Sequence, residues 1–202
     1  MRTALLLLSL VAAAIPSPAA VTFAIPPRAS GSKDAPIVIE VFGDFQCPFC
    51  RELHLRTMTR VIDDYCSKGK VYVIHRDFPA PMHKYAPDAA RWALACASIG
   101  KYEAIANTLF QKQDAWSTNG NIEPVIASVL TPAELKMVKQ RMITNKAEIE
   151  AAIQSDVALG AKDHFSGIPV TKIYNKGKIV SVTTGVISYA ILKRAIDQQL
   201  AK

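Results

Sequence analysis

After its first twenty residues the sequence holds no apolar run approaching the roughly 18 uninterrupted residues that a spanning helix needs. This excludes a body of membrane-spanning helices. Internal repeats and low-complexity tracts are also missing, so a repeat array is excluded. Basic residues outnumber acidic ones, 24 against 17, for a net charge of +7. They form no dense stripe; the longest clusters are pairs and triplets such as Lys176-Gly177-Lys178. A nucleic-acid surface needs a denser stripe with interleaved aromatics, so no nucleic-acid partner is expected. The charge reads as a solvated face that helps approach to an anionic membrane surface. Cysteine is scarce, with four in 202 residues. Cys47, Cys50 and His54 have compact spacing, but no second C-x-x-C or H-x-x-x-H supplies the fourth ligand that zinc requires. His75, His83 and His164 are single and scattered, and the histidines, His54 included, read as surface or capping residues. Arg51 follows Cys50 where haem attachment needs histidine. No metal site is expected.

The start of the chain sets the compartment. Arg2 is followed by an apolar core, Leu5 to Ile15, too short to anchor in a bilayer. Pro16 breaks it, and Ser17-Pro18-Ala19 supplies small residues for cleavage. Residues 1–19 read as a signal peptide cut after Ala19, with Ala24 as second choice. The mature chain is expected to be soluble and periplasmic or otherwise extracytoplasmic, where disulfides persist. About 180 residues remain, enough for one domain with a substantial core or a domain carrying an insertion. Residues 20–35, rich in Pro, Ala and Ser, read as an N-terminal arm.

The pattern then runs strand, helix, strand, helices, strand, strand, helix. Ile37 to Phe42 is apolar except for Glu40, as in a buried strand. Cys50 to Tyr65 carries Leu53, Met58, Val61, Ile62 and Tyr65 at helical spacing. Lys70 to His75 is β-branched and reads as a strand, parallel to the first through a right-handed crossover. From His83 to about Phe165 the pattern is helical. Gly100 and Gly120 punctuate it, and Glu123-Pro124 starts a helix. Thr131-Pro132-Ala133-Glu134 is a capping box, and Asn145 with Glu148 repeats the device. Val170 to Tyr174, Asn175-Lys176-Gly177 and Lys178 to Val182 read as a hairpin. An amphipathic helix closes the chain from about Ser188 to Leu200. Trp92, Phe110 and Trp116 are expected in the core.

Asp44-Phe45-Gln46-Cys47-Pro48-Phe49-Cys50 sits at the first strand-to-helix turn. A thiol at a helix N-terminus is easily ionised, because backbone N–H groups and the helix dipole favour the thiolate. Cys47 is expected to be the exposed nucleophile, and Cys50 the more buried resolving thiol. Such a pair can pass a disulfide to another protein or take one from it. Cys66 and Cys96 are expected to form a structural disulfide, as an even count in an exported chain favours. The alternative is two buried free thiols behaving as small hydrophobes.

Phe45-Gln46-Cys47-Pro48-Phe49-Cys50, Arg76-Asp77-Phe78-Pro79 and Gly167-Ile168-Pro169-Val170 resemble the thioredoxin-fold family typified by DsbA. The likeness covers nearly all of the mature chain. It implies an α/β thioredoxin fold, a mixed central sheet flanked by helices, with an inserted α-helical domain. The two halves would be residues 36–80 and 166–202, and the insertion 81–165. The resemblance also implies a periplasmic thiol–disulfide oxidoreductase with a cis Ile168–Pro169 bond beside the active disulfide. Pro48, Phe49, Ile168 and Pro169 would support the site and meet substrate. The redox-active disulfide would serve with no other cofactor.

Partners implied are reduced exported proteins and a membrane quinone-linked thiol oxidase, the enzyme itself being a monomer. Many relatives carry a buried acid where this chain has Val41. Glu40 points to the opposite face by strand alternation, and Asp44 is placed to order the turn. Phe49 stands where the best-known oxidants of the family have histidine. Alternatives are a reductase or isomerase of the same fold, or a thioredoxin-fold binding or assembly factor. The roughly 17 residues before the first strand are too few for the dimerisation domain of the isomerases.

Overall fold

The computed structural model describes residues 28–202; the expected signal peptide, 1–19, and the first part of the expected arm lie outside the described residues. Five strands form one mixed sheet in the order β1-β3-β2-β4-β5. They are β1 (Ala29–Ser30), β2 (Ile37–Gly43), β3 (Val71–Asp77), β4 (Val170–Asn175) and β5 (Lys178–Thr184). β2 and β3 are parallel, with Ile39 opposite Val73, and β4 joins β2 antiparallel, with Ile39 opposite Ile173. The β4–β5 turn uses Lys176 and Gly177, both at positive φ, which suits the twist of a two-residue hairpin.

Helix α1 spans 48–66. It begins α-helical (Pro48–Leu53), widens into π-helical segments at His54–Met58 and Ile62–Cys66, and is α-helical at Thr59–Val61 between them. Its apolar positions Leu53, Met58, Val61 and Tyr65 are buried against Ile37, Ile39, Val71 and Val73 of the sheet. The last helix, α8 (Tyr189–Leu200), adds Leu192 and Ile196 to the same core.

Between the halves lie α2 (Ala86–Ala97), α3 (Tyr102–Gln111), α4 (Gln113–Trp116), α5 (Glu123–Ala127), α6 (Pro132–Thr144) and α7 (Lys146–Lys162). They enclose a second core built around Trp116, Leu94, Ile105, Leu109 and Ile126. Trp92 and Phe110 belong to it, as the sequence predicts. Gly160 of α7 allows the close approach of Phe78, whose ring would lie 2.5 Å from an added Cβ.

The capping box at Thr131 and Glu134 forms. The one expected at Asn145 does not: Asn145 makes no side-chain cap bond. Its N–H is taken by Arg141 O at the end of α6, and φ −115°, ψ 27° is not the extended cap geometry. Two helices joined through one residue leave it no room to turn outward.

The arm is tied down more firmly than its composition suggests. β1 pairs antiparallel with β3, with Ala29 opposite Ile74. Arg28 is buried, paired to Asp77 at 3.2 Å and to Asp156 of α7. Arg76 adds a second bond to Asp156 at 3.1 Å and pairs with Glu40 at 2.5 Å. This buried network joins arm, sheet and insertion. Burial raises the Asp77 carboxyl from its ordinary 3.8 to about 6, with Arg28 opposing.

A carboxyl raised on folding holds its proton better folded than unfolded. Its contribution is therefore fullest below about pH 4 and is lost as pH rises through about 6. Arg28→Leu, which strips the compensating cation, should cost about 3 kcal/mol at pH 7.5. The loss should shrink at pH 5, where Asp77 takes up a proton. Urea unfolding at the two pH values measures both; equal losses would assign the cost to packing alone.

Candidate active site

The end of β2 and the start of α1 place the two cysteines. Cys47 is the N-cap of α1, with extended backbone at φ −74° and ψ 123°. Pro48 at the first helical position needs no N–H partner there. Cys47 Sγ accepts the N–H of Cys50 at 3.4 Å. A sulfur thus fills the capping position usually held by oxygen.

This turn is held from several sides. Asp44 Oδ1 accepts the N–H of Gln46 at 2.9 Å and of Cys47 at 2.7 Å. Its Oδ2 accepts the N–H of Ala80 at 2.9 Å and a bond from His83 Nδ1 at 2.7 Å. Gln113 of the insertion is buried and donates to the carbonyls of Phe45 at 2.8 Å and Cys47 at 3.1 Å. Gln46 reaches Ser117 O and receives the Tyr85 N–H. Phe45 packs on Phe110 with ring centroids 5.0 Å apart. Phe45, Cys47 and Cys50 all belong to the insertion's core.

Exposure does not separate the two thiols. Cys47 is 3% exposed and Cys50 5%, so the expectation of an exposed Cys47 is not met. Insertion packing and the Gln113 clamp cover the turn more closely than a C-x-x-C motif discloses. Acidity does separate them. Cys47 is lowered to about 7, first by the hydrogen bond from the Cys50 thiol, then by the N–H groups of Cys50 and Phe49. Burial and the Asp44 charge oppose this. Cys50 is raised well above the ordinary thiol value, first by burial, then by its donated bond to Cys47 and the charge on that sulfur.

Pro48 and Phe49 project outward, Phe49 being 59% exposed. The Ile168–Pro169 bond is cis. Pro169 is buried and Ile168 half-buried. Behind Cys50 lies a small cavity of about 40 Å³, bordered by Cys50, His54, His75, Asp77, Phe110 and Pro169. It has room for buried water.

His54 is buried rather than a surface residue, and bonds Asn107 at 2.6 Å. Burial, with the neighbouring His75 charge, lowers it to about 4 and keeps it neutral. Glu40 serves Arg76 and Tyr174, not the cysteines.

The Cys66–Cys96 bridge is not made. Both are free, buried thiols in different cores: Cys66 packs with the sheet at the end of α1, Cys96 within the insertion on α2. An even cysteine count carries no information on which core each residue enters. Burial pushes Cys66 up to about 11 and Cys96 up to about 12. Sequence reasoning also missed Gln113 and His83. Neither carries a local signal, since each meets the turn only through the folding of the insertion.

Fold and site together define the class: a thioredoxin-fold thiol–disulfide oxidoreductase with a helical insertion, DsbA-like in architecture. A family model described as thioredoxin matches residues 24–198, and the chain belongs to that family. The probable disulfide bond formation protein D of Bacillus anthracis is 26% identical over 181 residues, covering 85% of this chain and 77% of that protein. Among solved structures, alpha-DsbA1 from Wolbachia pipientis superposes with a TM-score of 0.73 at 19% identity, covering 93% of this chain and 94% of the other. BdbD from Bacillus subtilis, in its oxidised form, gives 0.68 at 21%, covering 87% and 94%.

Because acidity rather than exposure distinguishes the thiols, alkylation of the reduced protein at pH 6 should label Cys47 first. Its rate should rise with a midpoint near pH 7, while Cys50 stays unreactive to well above pH 9. Peptide mapping that found Cys50 labelled first would reverse their roles.

Proposed function

We propose that this protein donates disulfides to exported proteins outside the cytoplasm, by exchange at Cys47–Cys50. The observation that carries this reading is the Cys47 sulfur capping α1 and accepting the Cys50 N–H at 3.4 Å, a placement that opposes the acidities of two thiols one helical turn apart. In the oxidised enzyme a substrate thiolate attacks Cys47 Sγ. The Cys47–Cys50 bond breaks, and Cys50 leaves with the electron pair and takes a proton, consistent with its raised value. A second substrate thiolate then attacks the substrate sulfur of the mixed disulfide. Cys47 leaves as a thiolate, and its low value makes it a good leaving group. Two electrons pass from the substrate dithiol to the enzyme. Stabilising the Cys47 thiolate stabilises the reduced enzyme, which favours giving the disulfide away.

The exposed Phe49 and Pro48, with half-buried Ile168, would form the surface that substrate meets. An extended substrate segment would pair with backbone near Ile168, ahead of Pro169, by strand addition. Reoxidation requires an electron acceptor, for which a membrane quinone-linked thiol oxidase is the natural partner. The redox disulfide needs no other cofactor, and the enzyme works as a monomer. The leader-like residues 1–19 support an extracytoplasmic site of action. No helix among the described residues is long and apolar enough to cross a membrane.

Cys50→Ala should accumulate mixed disulfides with substrate on Cys47, visible on non-reducing gels. Cys47→Ala should abolish oxidation of a reduced test protein. Oxidation retained by the Cys47 variant would sink the mechanism. A reduction potential as low as that of a cytosolic reductant, about −270 mV, would reassign the direction of exchange.

A further inference from the structure

Asp44 stands out among the acidic residues. It is 4% exposed, yet it lies within three residues of the reacting sulfur. Its carboxylate is fully engaged: two N–H groups of the redox turn on one oxygen, and Ala80 N–H with His83 Nδ1 on the other. The Asp44 charge opposes the Cys47 thiolate. His83, 20% exposed in its side chain, lies in the segment that leads from β3 into the insertion. It is separated from the Cys47 backbone by one carboxylate. Thiol exchange as described above makes no use of it.

We propose that His83 is a positioning residue for Cys47: acting through Asp44, the imidazole that donates from Nδ1 to the carboxylate sets how strongly that buried group opposes negative charge on the Cys47 sulfur. The bond from Nδ1 draws the carboxylate's charge toward the imidazole, and the thiolate is favoured. Without the imidazole the carboxylate stands uncompensated, and the thiolate is disfavoured. The titratable groups that face Asp44 are Cys47 and Cys50 of α1, Asp77 of β3, and His83. Lys84, next to His83, holds its ammonium over the Tyr85 ring, 5.1 Å from the centroid. The arrangement makes the redox couple more oxidising than an uncompensated Asp44 would leave it. It rests on the reading of Cys47–Cys50 as the exchanging pair.

The test is an ultraviolet titration of the Cys47 thiolate in the reduced full-length mature protein, with the reduction potential measured alongside. Wild type, Asp44→Asn, His83→Gln and the double variant are compared after circular dichroism confirms folding. The amide that replaces the carboxylate in Asp44→Asn retains an oxygen for the Cys47 and Gln46 N–H groups but carries no charge. Asp44→Asn should lower the Cys47 midpoint by about one pH unit, tenfold in acid dissociation. The couple should become correspondingly more oxidising, by up to about 30 mV. His83→Gln should raise the midpoint by a fraction of a unit. The double variant should match Asp44→Asn alone, because His83 acts only through Asp44.

A His83→Gln protein that folds and titrates like wild type overturns the proposal. So does a His83→Gln shift that persists undiminished in the Asp44→Asn background. Should Asp44→Asn fail to fold, His83→Gln alone decides by the same midpoint and potential. The titration needs no substrate. Wild-type protein unable to oxidise a reduced test protein would instead overturn the functional reading, and leave the titration result standing.

Discussion

The Cys47 sulfur is both the cap of helix α1 and the atom we propose to react, and the rest of the structure is arranged around holding it there. A helix N-terminus leaves backbone N–H groups without partners. Here one of them, Cys50 N–H, is met by sulfur. A hydrogen bond to sulfur strengthens when the sulfur is ionised, so the helix end favours the thiolate. Burial at 3% exposure works against ionisation. The balance falls at about 7, where a thiol is half ionised at neutral pH. Such a balance survives only if the sulfur cannot drift, since both effects depend on its position. Asp44 and Gln113 fix the backbone on the two sides of Cys47.

The insertion therefore completes the site rather than decorating the fold. Gln113 and Phe110 come from it, and both bear directly on the turn. A rigid attachment of insertion to sheet follows as a requirement. The Arg28, Asp77, Asp156 and Arg76 network provides it, at the cost of desolvating four charged groups. The arm's Arg28 pairs with both buried carboxylates, and Arg76 shares Asp156 with it. Its position in a Pro- and Ala-rich stretch gives no hint of that.

What is legible in the sequence is local. The C-x-x-C turn follows a strand and opens a helix, so its backbone geometry lies within seven residues. The Thr131 capping box and the Lys176-Gly177 turn are likewise contained in their own segments, and each forms as read. The cis Ile168–Pro169 bond follows from family likeness and is present. What the sequence hides is non-local. Cys47 reads as exposed, but its cover is supplied from more than sixty residues away by Gln113. Counting pairs Cys66 with Cys96, and only packing reveals that they enter separate cores. Asn145 has a cap residue's chemistry, but the preceding helix fixes its backbone.

The four cysteines show why location outweighs composition. All are buried, and burial by itself drives a thiol upward. Cys66 and Cys96 follow that rule, to about 11 and about 12, and remain protonated packing residues at neutral pH. Cys50 follows it too, and its donated bond to Cys47 drives it further. Cys47 alone is lowered, because it alone combines the Cys50 thiol and the free N–H groups of a helix start. The same bond that raises one member of the pair lowers the other. An exchange centre of this kind needs two thiols one turn apart at a helix N-terminus, whatever else the chain contains. That is why C-x-x-C at the β2–α1 turn points to the proposed exchanging pair, while two equally buried cysteines elsewhere in the chain do not.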